Sequence, residues 1–131
     1  MASREEIKLY NVVFYEDAHC ESKLRNELFL LAKKSLTNKD ARVQLKQITL
    51  YIELLKNYGL NQSTNITKHL EGKIWELRTG VNRIIFFYYT ENTFVLLHMF
   101  RKSTNKTPRN ELEKARKEVF DFEKRNGGGK L

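Results

Sequence analysis

One cysteine, one proline and six glycines are all that this 131-residue chain contains of the residues that most often staple, break or loosen a fold. A lone thiol, Cys20, cannot close an intramolecular disulfide or build a multi-cysteine zinc site, and it fits a reducing compartment, with the cytoplasm as the default. Scarce Pro and Gly, beside six Tyr and eight Phe, exclude a disordered basic arm and indicate a folded module. No run of about 18 apolar residues occurs, so no membrane-spanning helix and no membrane partner is expected, and no basic-then-apolar leader opens the sequence. A Walker loop, a dinucleotide fingerprint, a metal-ligand cluster, internal repeats and low-complexity segments are missing too, so neither a cofactor nor a metal is expected.

What is abundant is positive charge. Twenty-four Lys and Arg stand against 16 Asp and Glu, a formal net charge of +8, which favours an anionic partner such as nucleic acid or an acidic protein. With 40% hydrophobic residues, the length suits one core and is short for two ordinary domains. A single domain over residues 4–126 is expected, with residues 1–3 and 127–131 set aside as flexible tails or cloning remnants.

Residues 9–15, rich in β-branched and aromatic side chains, predict an opening strand. Over residues 21–36, Leu24, Leu28, Leu31, Ala32 and Leu36 recur at helical spacing, and Ala41, Leu45, Ile48, Ile52 and Leu55 do the same before Gly59. These helices predict an antiparallel hairpin, followed by a polar loop over residues 61–67. Strands are expected over residues 73–78, 82–89 and 93–101, joined by tight turns at Gly80-Val81 and Glu91-Asn92. Thr107 as N-cap and Pro108 as first helical residue then open a closing helix striped with Leu112, Ala115, Val119 and Phe122. The fold class is α+β, a largely antiparallel meander on a helical hairpin, in the order β-α-α-β-β-β-α.

With two-residue turns, Arg78 falls opposite Arg83, Glu76 opposite Ile85, and Ile85 opposite His98. Glu76, Arg78, Arg83 and His98 then share one sheet face, and Arg83 is expected to be partly exposed there. The other face is Trp75, Leu77, Ile84, Phe86, Tyr88, Val95, Leu97 and Met99, set to pack on the hairpin. Two arginines directly opposite one another repel unless an anion lies between them, so a phosphate site is one reading. A solvated cluster in which Glu76 bridges Arg78 and Arg83 is the other. Of Tyr88 and Tyr89, one is free to stack a base while its neighbour points to the core. Arg101, Lys102 and Lys106 form a basic run suited to nucleic-acid backbone contact.

The stretch Lys68-His69-Leu70-Glu71-Gly72-Lys73-Ile74-Trp75-Glu76-Leu77-Arg78, then Asn82-Arg83-Ile84-Ile85-Phe86-Phe87 and Val95-Leu96-Leu97-His98-Met99-Phe100-Arg101-Lys102, resembles the signature of phage-derived, Gp49-like toxins of the HigB type within the RelE/ParE superfamily. The resemblance implies a RelE-like fold and the toxin of a type II toxin–antitoxin system: a ribosome-dependent mRNA endoribonuclease that needs no metal and is neutralised by a cognate helix-turn-helix, HigA-like antitoxin. Ribosome and mRNA are the implied partners, with operator DNA reached only through the antitoxin. Arg83 matches the family's strand arginine, the implied phosphate clamp, with Arg78 beside it. Lys102 matches the basic residue after the "LLHxF" strand, and His98 lies within that motif. Glu76 stands where many RelE proteins carry a basic residue, leaving it to orient Arg83 or to act as a base. Lys68, Lys73, Arg101 and Lys106 are the implied RNA or ribosome contacts, and Ser103 replaces the second lysine often seen in this branch. A ParE-like poison of DNA gyrase, or a basic RNA-binding protein without catalysis, are the alternatives.

Overall fold

The computed structural model describes residues 9–127, so residues 1–3 and the part of the expected tail beyond Gly127 lie outside the described residues. Strand β1 (Asn11–Phe14) leads into helices α1 (Lys23–Lys34) and α2 (Lys39–Tyr58). Strands β2 (Thr67–Glu71), β3 (Ile74–Thr79), β4 (Asn82–Tyr88) and β5 (Thr93–Arg101) follow, and helix α3 (Arg109–Phe122) runs on into a π-helical turn, Glu123–Gly127. The sheet order is β1-β5-β4-β3-β2. Strand β1 is parallel to β5 and every other pairing is antiparallel.

The α+β expectation stands, with one strand more than expected. Strand β2 arises from a segment that begins at the end of the expected loop. Its residues Thr67, Lys68, His69 and Glu71 are polar, as edge strands often are, and so carry little apolar alternation.

Local chemistry sets the helix ends. The Ser22 hydroxyl accepts from the Arg25 amide at 3.0 Å, and Asn38 Oδ1 accepts from the Ala41 amide at 2.8 Å, so both helices of the hairpin are side-chain capped. Helix α1 stops at Lys34, which leaves Leu36 outside the stripe and exposed. Gly59, at φ +63°, closes α2. At α3 the expected cap is absent: Pro108 takes the cap position, and the Thr107 hydroxyl donates elsewhere.

Two apolar layers lie on either side of the sheet. Between the sheet and the hairpin are Leu24, Ile48, Leu55, Leu77, Ile84, Phe86, Phe94 and Leu96. Between the sheet and α3 are Ile74, Ile85, Phe87, Val95, Leu97, Ala115 and Val119. Val95 and Leu97 therefore face α3, not the hairpin as expected. The cause is a pair of compensating irregularities in the β4–β5 hairpin. Near the turn, Phe86 pairs with Leu96 and Tyr88 with Phe94, one residue off a two-residue turn register, and Ile85 then pairs with His98, leaving Leu97 as a bulge. Beyond the bulge the expected register returns, so Arg83 and His98 lie where the sequence put them. Tyr88 and Tyr89 pack on opposite layers, half-buried in each case.

Candidate anion-binding site at the β3–β4 turn

The β3–β4 turn aims both strand arginines at one place. Arg78 and Arg83 are direct cross-strand partners, and Glu76 lies opposite Ile85 on the same face. The turn rests on α2. Gly80, at φ +93°, lies so close to Gln47 that an added Cβ would strike its carboxamide, and Asn82 Nδ2 donates to Gln44 Oε1 at 3.0 Å. The left-handed backbone there favours glycine, and any side chain would also displace the Gln47 carboxamide.

Arg83 is held by the turn's own backbone. Its Nη1 donates to Gly80 O at 2.6 Å and to Asn82 O at 3.1 Å. Glu76 Oε1 lies 3.5 Å from Arg78 Nε and 3.9 Å from Arg83 Nε, while its Oε2 accepts from the Thr107 hydroxyl at 2.8 Å. Neither Glu76 Oε1 nor Arg78 Nε has a hydrogen-bond partner, so this contact is coulombic and leaves polar capacity unused.

Burial sharpens the imbalance. Glu76 is 2% exposed and Arg83 only 7%, so Arg83 is not the partly exposed residue that the pattern predicted, and Glu76 is no solvated bridge. Burial first, then the neighbouring Arg78 charge, push the Arg83 pKa down, and Glu76 opposes them. A guanidinium stays charged even so, leaving two positive charges against one negative in a poorly hydrated place. An arriving anion would relieve that repulsion.

A cleft of about 290 Å³ opens there, lined by Tyr51, Asn65, Arg78, Gly80, Arg83 and Asn105. Helix α2, the loop before β2, the turn and the loop before α3 all contribute. Tyr51, Asn65, Asn105 and the Thr107 hydroxyl were not singled out for this place in the sequence. For Tyr51 a signal existed, since it follows Gln44 and Gln47 along one stripe of α2. The loop asparagines gave none.

The other expected residues are dispersed. Lys102 leaves β5 beside the same turn, its amide donating to Val81 O at 2.8 Å, with the side chain exposed. Arg101 pairs with Asn82 and is exposed. Lys68 lies opposite Glu76 on β2, half-buried. Lys106 lines a different cleft, of about 470 Å³, with Thr104, Thr107, Pro108, Arg109, Leu112 and Arg116. Lys73 sits at the far end of β3, ion-paired with Glu123 and over the Phe87 ring. His98 shares the arginines' face but is roofed by α3: Nδ1 lies 2.6 Å from Glu118 Oε1 and Nε2 3.0 Å from Glu111 Oε1, with the residue 3% exposed. Both ring nitrogens are engaged by carboxylates, so His98 anchors α3 and is not brought into the cleft.

Among the described residues no group of three or more His, Cys, Asp or Glu side chains could hold a metal ion, and no helix is long and apolar enough to cross a membrane. What fold and site define is a small basic α+β domain with an arginine-lined cleft at a hairpin turn. Its sequence matches the phage-derived protein Gp49-like family over residues 34–119, more than half of the chain, and the chain belongs to that family. No curated protein matches it. Among solved structures it is similar to the archaeal RelE-RelB complex from Pyrococcus horikoshii, with a TM-score of 0.49 and 13% identity, covering 72% of this chain and 97% of that one.

Proposed function

We propose that this protein is the toxin of a type II toxin–antitoxin system and cuts mRNA on the ribosome without a metal. The observation that carries the reading is the opposed Arg78–Arg83 pair, Arg83 buried and Arg78 half-buried, around an under-partnered Glu76. Family membership and the +8 charge support it.

In this reading the ribose 2′-hydroxyl attacks the adjacent phosphate, giving a cyclic phosphate and a free 5′-hydroxyl. Arg83 and Arg78 take the extra negative charge of the transition state, for which a planar fork held by backbone carbonyls is preorganised. Glu76 is a positioning residue: at 2% exposure, with one oxygen held by Thr107, it cannot meet a substrate hydroxyl without displacing an arginine. Lys102, exposed beside the turn, contacts the RNA backbone or protonates the leaving oxygen. Arg101 and Lys106, with Lys68, extend the basic surface toward mRNA and ribosomal RNA. A cognate HigA-like, helix-turn-helix antitoxin holds the toxin inactive in the cytoplasm and carries any contact with operator DNA.

Induced expression without an antitoxin is the test. The expected outcome is growth arrest with new transcript ends inside translated reading frames. Intact mRNA together with blocked gyrase supercoiling would replace this reading by a ParE-like one.

A further inference from the structure

We propose that Tyr51 is the stacking platform for one nucleobase of the single-stranded RNA held in the arginine cleft, and that Asn65 and Asn105 read that base's edge. The inference rests on the RNA-cleaving reading above and assigns residues that neither the sequence resemblance nor the family match singles out.

The cleft's size comes first. At about 290 Å³ it lies just below the range of ligand pockets, which run from roughly 300 to 1,000 Å³. It suits a single nucleotide and not a length of duplex. Two guanidiniums provide for the phosphate, which carries no sequence information. What else lines the cleft is one aromatic ring and two carboxamides.

The ring has a face to offer. Tyr10 and Tyr88 pair with Phe94, and Tyr89 pairs with Phe87 and Phe122. Tyr15 donates its hydroxyl to Asp121 and lies beneath the Arg125 guanidinium. Tyr51 belongs to none of the aromatic pairs among the described residues, and it is half-buried against the hairpin core, so it is fixed at its root and open at the cleft. On the same stripe of α2, Gln44 accepts from Asn82 of the turn that carries the arginines, and Gln47 lies against Gly80. Helix α2 therefore sets the distance between phosphate clamp and ring as one rigid element.

Unstacked bases of single-stranded RNA are recognised in this way, by an aromatic face together with polar groups at the base edge. Asn65 and Asn105 are exposed, and each carboxamide offers a donor and an acceptor, from two different loops.

The test titrates purified protein into a short single-stranded RNA carrying one 2-aminopurine, whose fluorescence is quenched on stacking, and maps cut positions in translated mRNA in parallel. Wild type and Tyr51→Phe are expected to quench alike, within about twofold in affinity. Tyr51→Leu fills the space without a flat face and is expected to lose the quench and to bind on the order of ten- to a hundredfold more weakly. The double variant Asn65→Ala/Asn105→Ala, confined to exposed loop positions, is expected to keep the quench and broaden the nucleotide preference beside the cut. Quenching by Tyr51→Leu equal to wild type overturns the proposal, as does a loss in Tyr51→Phe as large as in Tyr51→Leu. If Tyr51→Leu fails to fold, an unchanged nucleotide preference in the double variant overturns the edge-reading assignment, and absent quenching in wild type overturns the stacking one. Quenching without mRNA cleavage would sink the nuclease reading alone, whereas cleavage without quenching would sink this inference alone.

Discussion

Glu76→Gln removes the negative charge between Arg78 and Arg83 while preserving the side chain's shape and an oxygen for Thr107. The charges lie 3.5 and 3.9 Å apart, which at an effective dielectric of about 20 corresponds to roughly 4 to 5 kcal/mol of gross attraction each. Most of that is offset by the cost of desolvating a carboxylate that is 2% exposed. Breaking a buried pair by removing one partner costs about 3 to 5 kcal/mol, and Arg78, with its side chain 18% exposed, can turn toward water in the cleft. A net destabilisation of about 3 kcal/mol is expected, or roughly 10 °C in Tm for a domain of this size. Because the lost charge is anionic, inorganic phosphate in the millimolar range is expected to restore part of the stability by binding the unneutralised arginine pair, raising the variant's Tm more than that of the wild type. Thermal unfolding of both proteins across a phosphate series measures this. A Tm within about 2 °C of wild type, with no difference in phosphate response, would refute the account of the site as an under-neutralised arginine pair.

His98→Leu is expected to destabilise the fold by about 1 to 3 kcal/mol through loss of two hydrogen bonds to charged partners, while cleavage per folded molecule stays within a few-fold of wild type; urea denaturation beside single-turnover cleavage checks both, and a hundredfold loss of rate in a stable variant would return His98 to the chemistry. Burial, reinforced by the hydrogen bond to Asp121, raises the Tyr15 pKa from 10.0 to about 12. The folded state thus keeps the phenol protonated where the unfolded chain ionises, so the stability Tyr15 supplies is complete below pH 10 and is lost as pH rises through about 12. Wild type is expected to be more stable than Tyr15→Phe at neutral pH and to lose that margin across this window; a constant margin in denaturant midpoint up to pH 12 would contradict it.

The arginine pair was legible in the sequence because Gly80-Val81 permits a tight turn, and the turn fixes the register that opposes Arg78 to Arg83. The bulge at Leu97 was hidden inside Val95-Leu96-Leu97, a continuous apolar run in which no alternation reveals which side chain faces which layer. Strand β2 was hidden for the opposite reason, since Thr67, Lys68, His69 and Glu71 are polar and pair only along one edge. Arg83 shares its cleft with Tyr51 of α2 and Asn105 of the loop before α3, and strand periodicity holds no information about either element. His98 could have been read differently: Glu111 and Glu118, seven residues apart, flank the Leu112, Ala115 and Val119 stripe and place two carboxylates over the sheet.

In the proposed reaction Arg83 stabilises charge on a scissile phosphate. The direct measurement is 5′-end mapping of a single mRNA translated in a purified system, with wild type and with Arg83→Ala confirmed as folded by urea denaturation. Cuts inside the reading frame that require translation are expected, with a fall of roughly two to three orders of magnitude in rate for Arg83→Ala and Arg83→Lys between the two. Equal cutting by wild type and a folded Arg83→Ala would contradict that role for Arg83.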